Sequence, residues 1–165
     1  MSLIETDITI NAPPSIVRSI ILDFDSYPQW NPFLTSIKTS TTPVTKGTKL
    51  DCVANGTPFS PIVQENSPDK FGWTGALFGQ WFFCGHHSFE FQPFGDLGAS
   101  GDTELGANGE TESCKLVQVE KFGGIAAYLI LLLIGQQTKN GFNAMNRAVK
   151  ERAEALTGGT AASNT

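Results

Sequence analysis

Residues 84–93 read Cys84-Gly85-His86-His87-Ser88-Phe89-Glu90-Phe91-Gln92-Pro93. From His86 onward the pattern has a period of two. His87, Phe89 and Phe91 fall on one face, and His86, Ser88, Glu90 and Gln92 on the other. Phenylalanines repeating at that spacing belong against a core. The segment is therefore a half-buried strand, with His87 carried inward and His86 turned to solvent.

The same reading extends outward in both directions. Residues 112–122 place Lys115 and Lys121 on an outer face, which leaves Cys114, Leu116, Gln118, Glu120 and Phe122 inward. In the strand Lys70–Leu77, the residues Phe71, Trp73 and Leu77 point inward together. Further strands are expected at Leu3–Ile10, Leu34–Thr41, Thr48–Ala54 and Phe59–Glu65, about seven in all. Turn signals separate them at Pro43–Gly47, Asn55-Gly56 and Asn66–Asp69. Short turns make the strands antiparallel. Helices are confined to two places. Pro13-Pro14 opens one with Ile16, Val17, Ile20, Ile21 and Phe24 on one face, followed by a turn-rich stretch through Phe33. A second, long helix is expected from about Ile125 to Leu156, with a bend near Gly135 or Gly141. Its later part sets Phe142, Met145, Val149 and Ala153 on one side. Strands in a run with helices segregated at the ends define an α+β domain. A curved antiparallel sheet gripping one long helix leaves a gap between them. One domain over residues 1–156 and a flexible tail over 157–165 are expected.

Composition narrows the function. Eleven Lys plus Arg against sixteen Asp plus Glu give a net charge of −5, and no basic block exists to draw in phosphates. Nucleic acid is excluded as a partner on that ground. The 40% hydrophobic content is too high for a disordered chain. Cys52, Cys84 and Cys114 are few, odd in number and widely spaced, which reads as buried thiols in a reducing compartment. Glu5 and Asp7 interrupt the first apolar stretch, so it is no signal peptide, and a cytoplasmic location is expected. Asn55-Gly56-Thr57 is read as a turn and not a glycosylation site. The apolar run Ile125–Ile134 is shorter than the roughly 20 residues a membrane span needs. It is expected to pack as core or roof a cavity, with docking on a membrane surface as its other use. Residues 94–111 carry five glycines among acidic residues and read as a long mobile hairpin loop. The acids lack the spacing of a calcium loop.

In this order the elements resemble the SRPBCC superfamily, the START-like helix-grip group that includes polyketide cyclase/dehydrase and lipid-transport proteins. The resemblance is carried by Ala12-Pro13-Pro14, Tyr27-Pro28-Gln29-Trp30-Asn31-Pro32-Phe33, Gly72-Trp73, Gly85 to Pro93, Glu120-Lys121-Phe122-Gly123-Gly124 and the helix Gly141–Ala153. It covers about Leu3 to Ala155. It implies a hydrophobic cavity under the long helix, holding a hydrophobic small molecule, with no single activity attached. Two stretches depart from the family pattern: the long Gly-rich loop, and Ala76–Phe83 with its excess of aromatics.

Within such a cavity the inward polar residues carry any chemistry. Gln118 or Glu120 comes near His87 if the last two strands pair, though the loop length hides the register. A histidine oriented by a carboxylate can act as a general base. A cofactor-free cyclase or dehydratase acting on a polyketide-like intermediate is thus one expectation, with His87, Glu120 and Gln118 as its catalytic set. A carrier for a lipid or metabolite is the alternative. A plain hydrogen-bonded core histidine gives the same sequence pattern. Trp73, Phe71, Phe89, Phe91, Phe122, Trp81, Tyr128 and Tyr27 are the candidate ligand contacts. No metal site is expected, because adjacent histidines on a strand face opposite ways and no third ligand is spaced for them. No nucleotide, phosphate or hydrolase motif is present in the sequence.

Overall fold

The computed structural model describes residues 2–94 and 113–162. Along the chain it has β1 (Ser2–Ile10), α1 (Pro14–Leu22), a single 3-10 turn (Phe24–Ser26), α2 (Tyr27–Trp30), β2 (Leu34–Lys38), β3 (Asp51–Ala54), β4 (Thr57–Phe59), β5 (Ile62–Asn66), β6 (Lys70–Leu77), β7 (Phe83–Phe94), β8 (Ser113–Gly123) and α3 (Ala127–Ala162). The class is α+β, a helix-grip fold in which a curved antiparallel sheet wraps a long C-terminal helix.

Five strands pair in the order β1-β8-β7-β6-β5, and β2-β3-β4 form a second sheet. Among the described residues there are eight strands where the sequence suggests about seven, because the stretch expected at Phe59–Glu65 divides at Ser60-Pro61. Proline has no N–H to give a ladder, and here the chain leaves one sheet and enters the other. The two sheets stay joined: Pro61 O accepts from Leu50 N at 2.9 Å, and Val63 N donates to Thr48 O at 2.9 Å. The β3–β4 turn uses Asn55 and Gly56, both with positive φ (48° and 79°), which suits a two-residue hairpin. That agrees with the turn read at the Asn-Gly-Thr triplet.

α1 begins at the proline pair and buries Val17, Ile20 and Ile21. Asn31 ends α2: its Oδ1 accepts from the N–H groups of Phe33 (3.0 Å) and Leu34 (2.9 Å). That clamp turns the chain into β2 and sends the Phe33 ring against Phe142 of α3, edge-on at 5.6 Å. Gly141 permits the approach, since a Cβ there would overlap the Phe33 ring. α3 is one helix of 36 residues, about 54 Å long, unbroken at Gly135 and Gly141. It also runs past Leu156 to Ala162, where a frayed tail was expected from Thr157. Within it the Thr157 hydroxyl lies within donating distance of the carbonyls of Ala153, Glu154 and Asn11, one of which takes its single proton. The Gly-rich stretch falls outside the described residues.

One main core joins α1, α2, the lower part of the large sheet and the later half of α3, through Val17, Ile21, Tyr27, Phe71, Phe91, Leu116, Met145 and Val149. A smaller cluster of Ile4, Phe122, Ala127 and Phe142 sits nearer the start of α3. Between them the sheet and helix stand apart.

Candidate functional site

The gap is a cavity of about 440 Å³. Its sheet wall includes Trp73, Gly75, Gly85, His87, Phe89, Gln118, Glu120 and Phe122, and its helical wall Ile130, Ile134, Phe142 and Met145. Phe33 and the β3–β4 hairpin, with Pro58 and Phe59, close another side. A volume of this size suits a drug-sized ligand.

Strand pairing supplies the polar end. β7 and β8 pair from Cys84 with Gly123 to Phe94 with Ser113, which places His87 opposite Glu120 and Phe89 opposite Gln118. His87 Nδ1 and Glu120 Oε2 lie 2.7 Å apart, and both side chains are largely buried. Glu120 fits because its strand neighbourhood has no side chain at Gly85: a Cβ there would overlap Glu120 Oε1. The imidazole is held by rings on three sides. Trp73 stacks on it at 4.8 Å, while Phe89 and Phe142 meet it edge-on at 4.6 and 5.0 Å. His87 Nε2 is buried and has no hydrogen-bond partner.

A carboxylate accepts only, so the short bond keeps the ring proton of neutral His87 on Nδ1. The lone pair is then on Nε2. This is the arrangement a general base needs: a third group fixes the tautomer and the free nitrogen is unspent.

Gln118 does not orient His87. Its amide nitrogen donates to Asn146 Oδ1 and, at 3.5 Å, to the backbone oxygen of Phe142. Asn146 in turn donates from Nδ2 to Thr6 Oγ1 at 3.2 Å. Gln118 Oε1 is left buried without a partner. Asn146 was invisible to the strand-parity argument. The signal that could have found it is an asparagine on the buried Phe142/Met145/Val149 face of a helix, where a polar side chain needs a partner.

The aromatic candidates divide. Trp73, Phe89 and Phe122 line the cavity. Phe71 and Phe91 are fully buried in the main core instead, where Phe71 packs between Phe24 and Phe89. They share the inner face but lie further along it, under α1 and α2. Tyr27 is also core, and its hydroxyl is spent on Ile21 O at 2.7 Å. Burial, with the added charges of Cys52 and Asp23, pushes that phenol well above its usual range. Trp81 and Tyr128 do not reach the cavity; they are 67% and 75% exposed. The Ile125–Ile134 run divides: Ala127 is core and Ile130 and Ile134 line the cavity, as a core or roofing segment should, while Ile125, Leu132 and Leu133 are all more than 70% exposed. The other face of this part of α3 is uncovered. His86 is exposed, as its parity requires, and bonds Thr74 Oγ1 through Nδ1 at 2.8 Å. Among the described residues no helix is long and apolar enough to cross a membrane.

A helix-grip domain with an apolar cavity and one buried polar dyad is the scaffold of a small-molecule-binding protein of the START-like kind. The chain belongs to the polyketide cyclase / dehydrase and lipid transport family, whose model matches residues 1–129. Searched against curated protein sequences, it has no match. Several solved structures share the fold at low identity. A START superfamily protein from Mycobacterium smegmatis is 17% identical, with TM-score 0.63, 93% of this chain covered and 98% of that one. The di-domain aromatase/cyclase BexL of the BE-7585A biosynthetic pathway is 12% identical, with TM-score 0.65, 95% of this chain covered and 48% of that one. A norcoclaurine synthase point mutant from Thalictrum flavum, solved with a transition-state analogue, is 10% identical, with TM-score 0.66, 94% of this chain covered and 96% of that one.

Proposed function

We propose that the protein binds a hydrophobic, polyketide-like compound in this cavity and closes or dehydrates a ring in it without a cofactor. The observation that carries the reading is the 2.7 Å His87–Glu120 bond at the wall of an apolar cavity, with Nε2 left unpaired. His87 Nε2 takes a proton from a carbon flanked by carbonyls, leaving an enolate. The enolate carbon attacks a second carbonyl of the same chain, a C–C bond forms, and the new alkoxide recovers the proton from Nε2. Removal of the next α-proton by Nε2 and its return to the departing hydroxyl releases water. Glu120 keeps the imidazole in one tautomer and stabilises its protonated form between the steps. The aromatic walls hold a flexible chain in the folded shape that reacts.

The test starts with native mass spectrometry of freshly purified protein and extraction of whatever hydrophobic guest it carries. With the compound class in hand, His87→Ala should lower turnover about a hundredfold or more while ligand binding persists. Undiminished turnover would overturn the catalytic reading.

A carrier is the second reading, favoured by the apolar collar outside the cavity. Phe78, Trp81, Ile125, Tyr128, Leu129 and Leu133 are all at least 60% exposed. The two segments that bear them are tied by Ile125 N donating to Trp81 O at 3.1 Å and Ala126 N to Phe82 O at 3.0 Å. No Asp, Glu, Lys or Arg occurs from Phe71 to Phe89 or from Phe122 to Thr138. Such a collar fits an uncharged bilayer interface, where Trp and Tyr are at home. Co-sedimentation with phosphatidylcholine vesicles, lost in Trp81→Ser, would favour it; no sedimentation would remove it.

A further inference from the structure

Cys84, His86 and Thr74 form a hydrogen-bonded chain on the outer face of the sheet, away from the cavity, and we infer that Cys84 is a nucleophilic thiol that reacts with a small peroxide, with His86 as its base. The site is independent of the cavity and of whatever the cavity holds.

Strand pairing builds it. Cys84 and His86 are two residues apart on β7 and share a face, the one opposite to His87 and Phe89. Thr74 of β6 stands directly across from His86, and Lys121 of β8 stands across from it on the other side. Cys84 Sγ lies 3.7 Å from His86 Nε2, and His86 Nδ1 lies 2.8 Å from Thr74 Oγ1. Nucleophile, base and orienting group thus follow one another, each within hydrogen-bond reach of the next. The Thr74 hydroxyl can accept from Nδ1, which turns the Nε2 lone pair to the thiol. After Nε2 takes the thiol proton, both bonds persist and the ring is charged. Lys121 adds positive charge on the same face, which favours a thiolate. Glu90, the first carboxylate along this face of β7, is occupied by Lys70 at 3.1 Å.

The other two thiols stand differently. Cys52 and Cys114 belong to the main core at 2% and 0% exposure, and burial pushes both up to about 12. Cys84 is 7% exposed and touches an imidazole that is itself open to solvent. Gly123 makes room for its sulfur, since a Cβ there would lie 2.9 Å from Sγ. An opening this narrow suits a reagent as small as hydrogen peroxide and not a bulky disulfide.

In the reaction the sulfur attacks one peroxide oxygen. An S–O bond forms, the O–O bond breaks, and the peroxide takes an electron pair from sulfur. The thiol proton held on Nε2 passes to the departing hydroxide. The products are the sulfenic acid of Cys84 and water.

The test treats the full chain with hydrogen peroxide in the presence of dimedone, which traps sulfenic acids, and follows each cysteine by peptide mass spectrometry. Cys84 should be trapped faster in the folded protein than in urea, the reverse of Cys52 and Cys114. In folded His86→Gln the rate at Cys84 should fall about tenfold, because a thiol without a base is only a few per cent thiolate at pH 7. Thr74→Val should slow it in the same direction. The comparison of folded with unfolded wild type decides the matter even if a variant fails to fold. A Cys84 that reacts more slowly folded than unfolded, or at an unchanged rate in His86→Gln, overturns the inference.

Discussion

Gly85→Ala is the sharpest perturbation of the dyad, because it adds one methyl and removes no functional group. A Cβ on Gly85 would lie closer than 3.0 Å to Glu120 Oε1, a separation real Cβ atoms essentially never show. The Cys84–Gly85 backbone is fixed on both sides by pairing with Gly75–Ala76 and with Phe122–Gly123, so the carboxylate yields, by something on the order of 1 Å. That is enough to break a 2.7 Å bond to His87 Nδ1. A hydrogen bond to a charged group contributes about 1.5–3 kcal/mol. Replacing glycine in a strand returns about 0.5–1 kcal/mol. The net loss is about 1–2 kcal/mol, or roughly 2–8 °C in Tm for a chain of this length. The specific readout is the imidazole. The chain has two histidines, so long-range proton–nitrogen NMR spectra of labelled protein resolve both rings. Wild type should show one ring locked with its proton on Nδ1, and Gly85→Ala should show that ring exchanging between tautomers. Under the proposed mechanism turnover should fall about a hundredfold, as it does for misplacements of this size. An unchanged His87 spectrum in a folded Gly85→Ala protein would refute the claim that Glu120 sets the tautomer.

Other expectations follow from the same geometry. Asn146→Leu strands the Gln118 amide and Thr6 hydroxyl and should cost about 1–3 kcal/mol in urea denaturation; a neutral result would mean the network contributes no stability. Tyr27→Phe should cost about 1 kcal/mol through the lost bond to Ile21 O and leave ligand affinity unchanged, so lost affinity would return Tyr27 to the site. Cys52 and Cys114 are pushed up to about 12 by burial, so iodoacetamide at pH 8 should modify them only as fast as the protein unfolds, and rapid native labelling would contradict their burial. Glu154 is held below the usual carboxylate range by the Asn11 N–H and Lys150. Its contribution is present above the unfolded pKa and is lost as pH falls below about 4, so Glu154→Gln should flatten that part of the Tm–pH curve.

How much of this was legible depends on which geometric variable each residue expresses. Strand parity alone gives a face, and it assigned His87, Gln118, Glu120, Phe122 and Trp73 to the inner side, where they lie. Parity says nothing about position along a strand. Phe71, Phe89 and Phe91 all face inward, but α1 and α2 fill the lower half of the sheet, so Phe71 and Phe91 are core and Phe89 reaches the cavity. Register was hidden for a related reason. β7 and β8 are joined by the long Gly-rich stretch, and no turn type there fixes the pairing. Gln118 and Glu120 therefore stayed equivalent until the ladder set Glu120 opposite His87. Trp81 and Tyr128 were misplaced because apolar residues in a run read as buried, whereas burial depends on whether another element lies opposite.

The site also shows where a glycine is informative. Gly85 sits inside a strand, where glycine weakens pairing and offers no side chain to pack. Nothing local calls for it: its φ is not positive, and no turn is there. The structure supplies the reason across the ladder, in the carboxylate that occupies the space of the missing Cβ. A buried carboxylate needs room, a partner and exclusion of water. Gly85 gives the room, His87 is the partner, and Trp73, Phe89 and Phe142 surround that partner. If the dyad served only to satisfy a core histidine, a backbone carbonyl or a neutral amide would do so without burying a charge. The fold instead leaves out a side chain to keep a carboxylate against an imidazole whose other nitrogen has no protein partner, which is the arrangement a proton-transfer site requires.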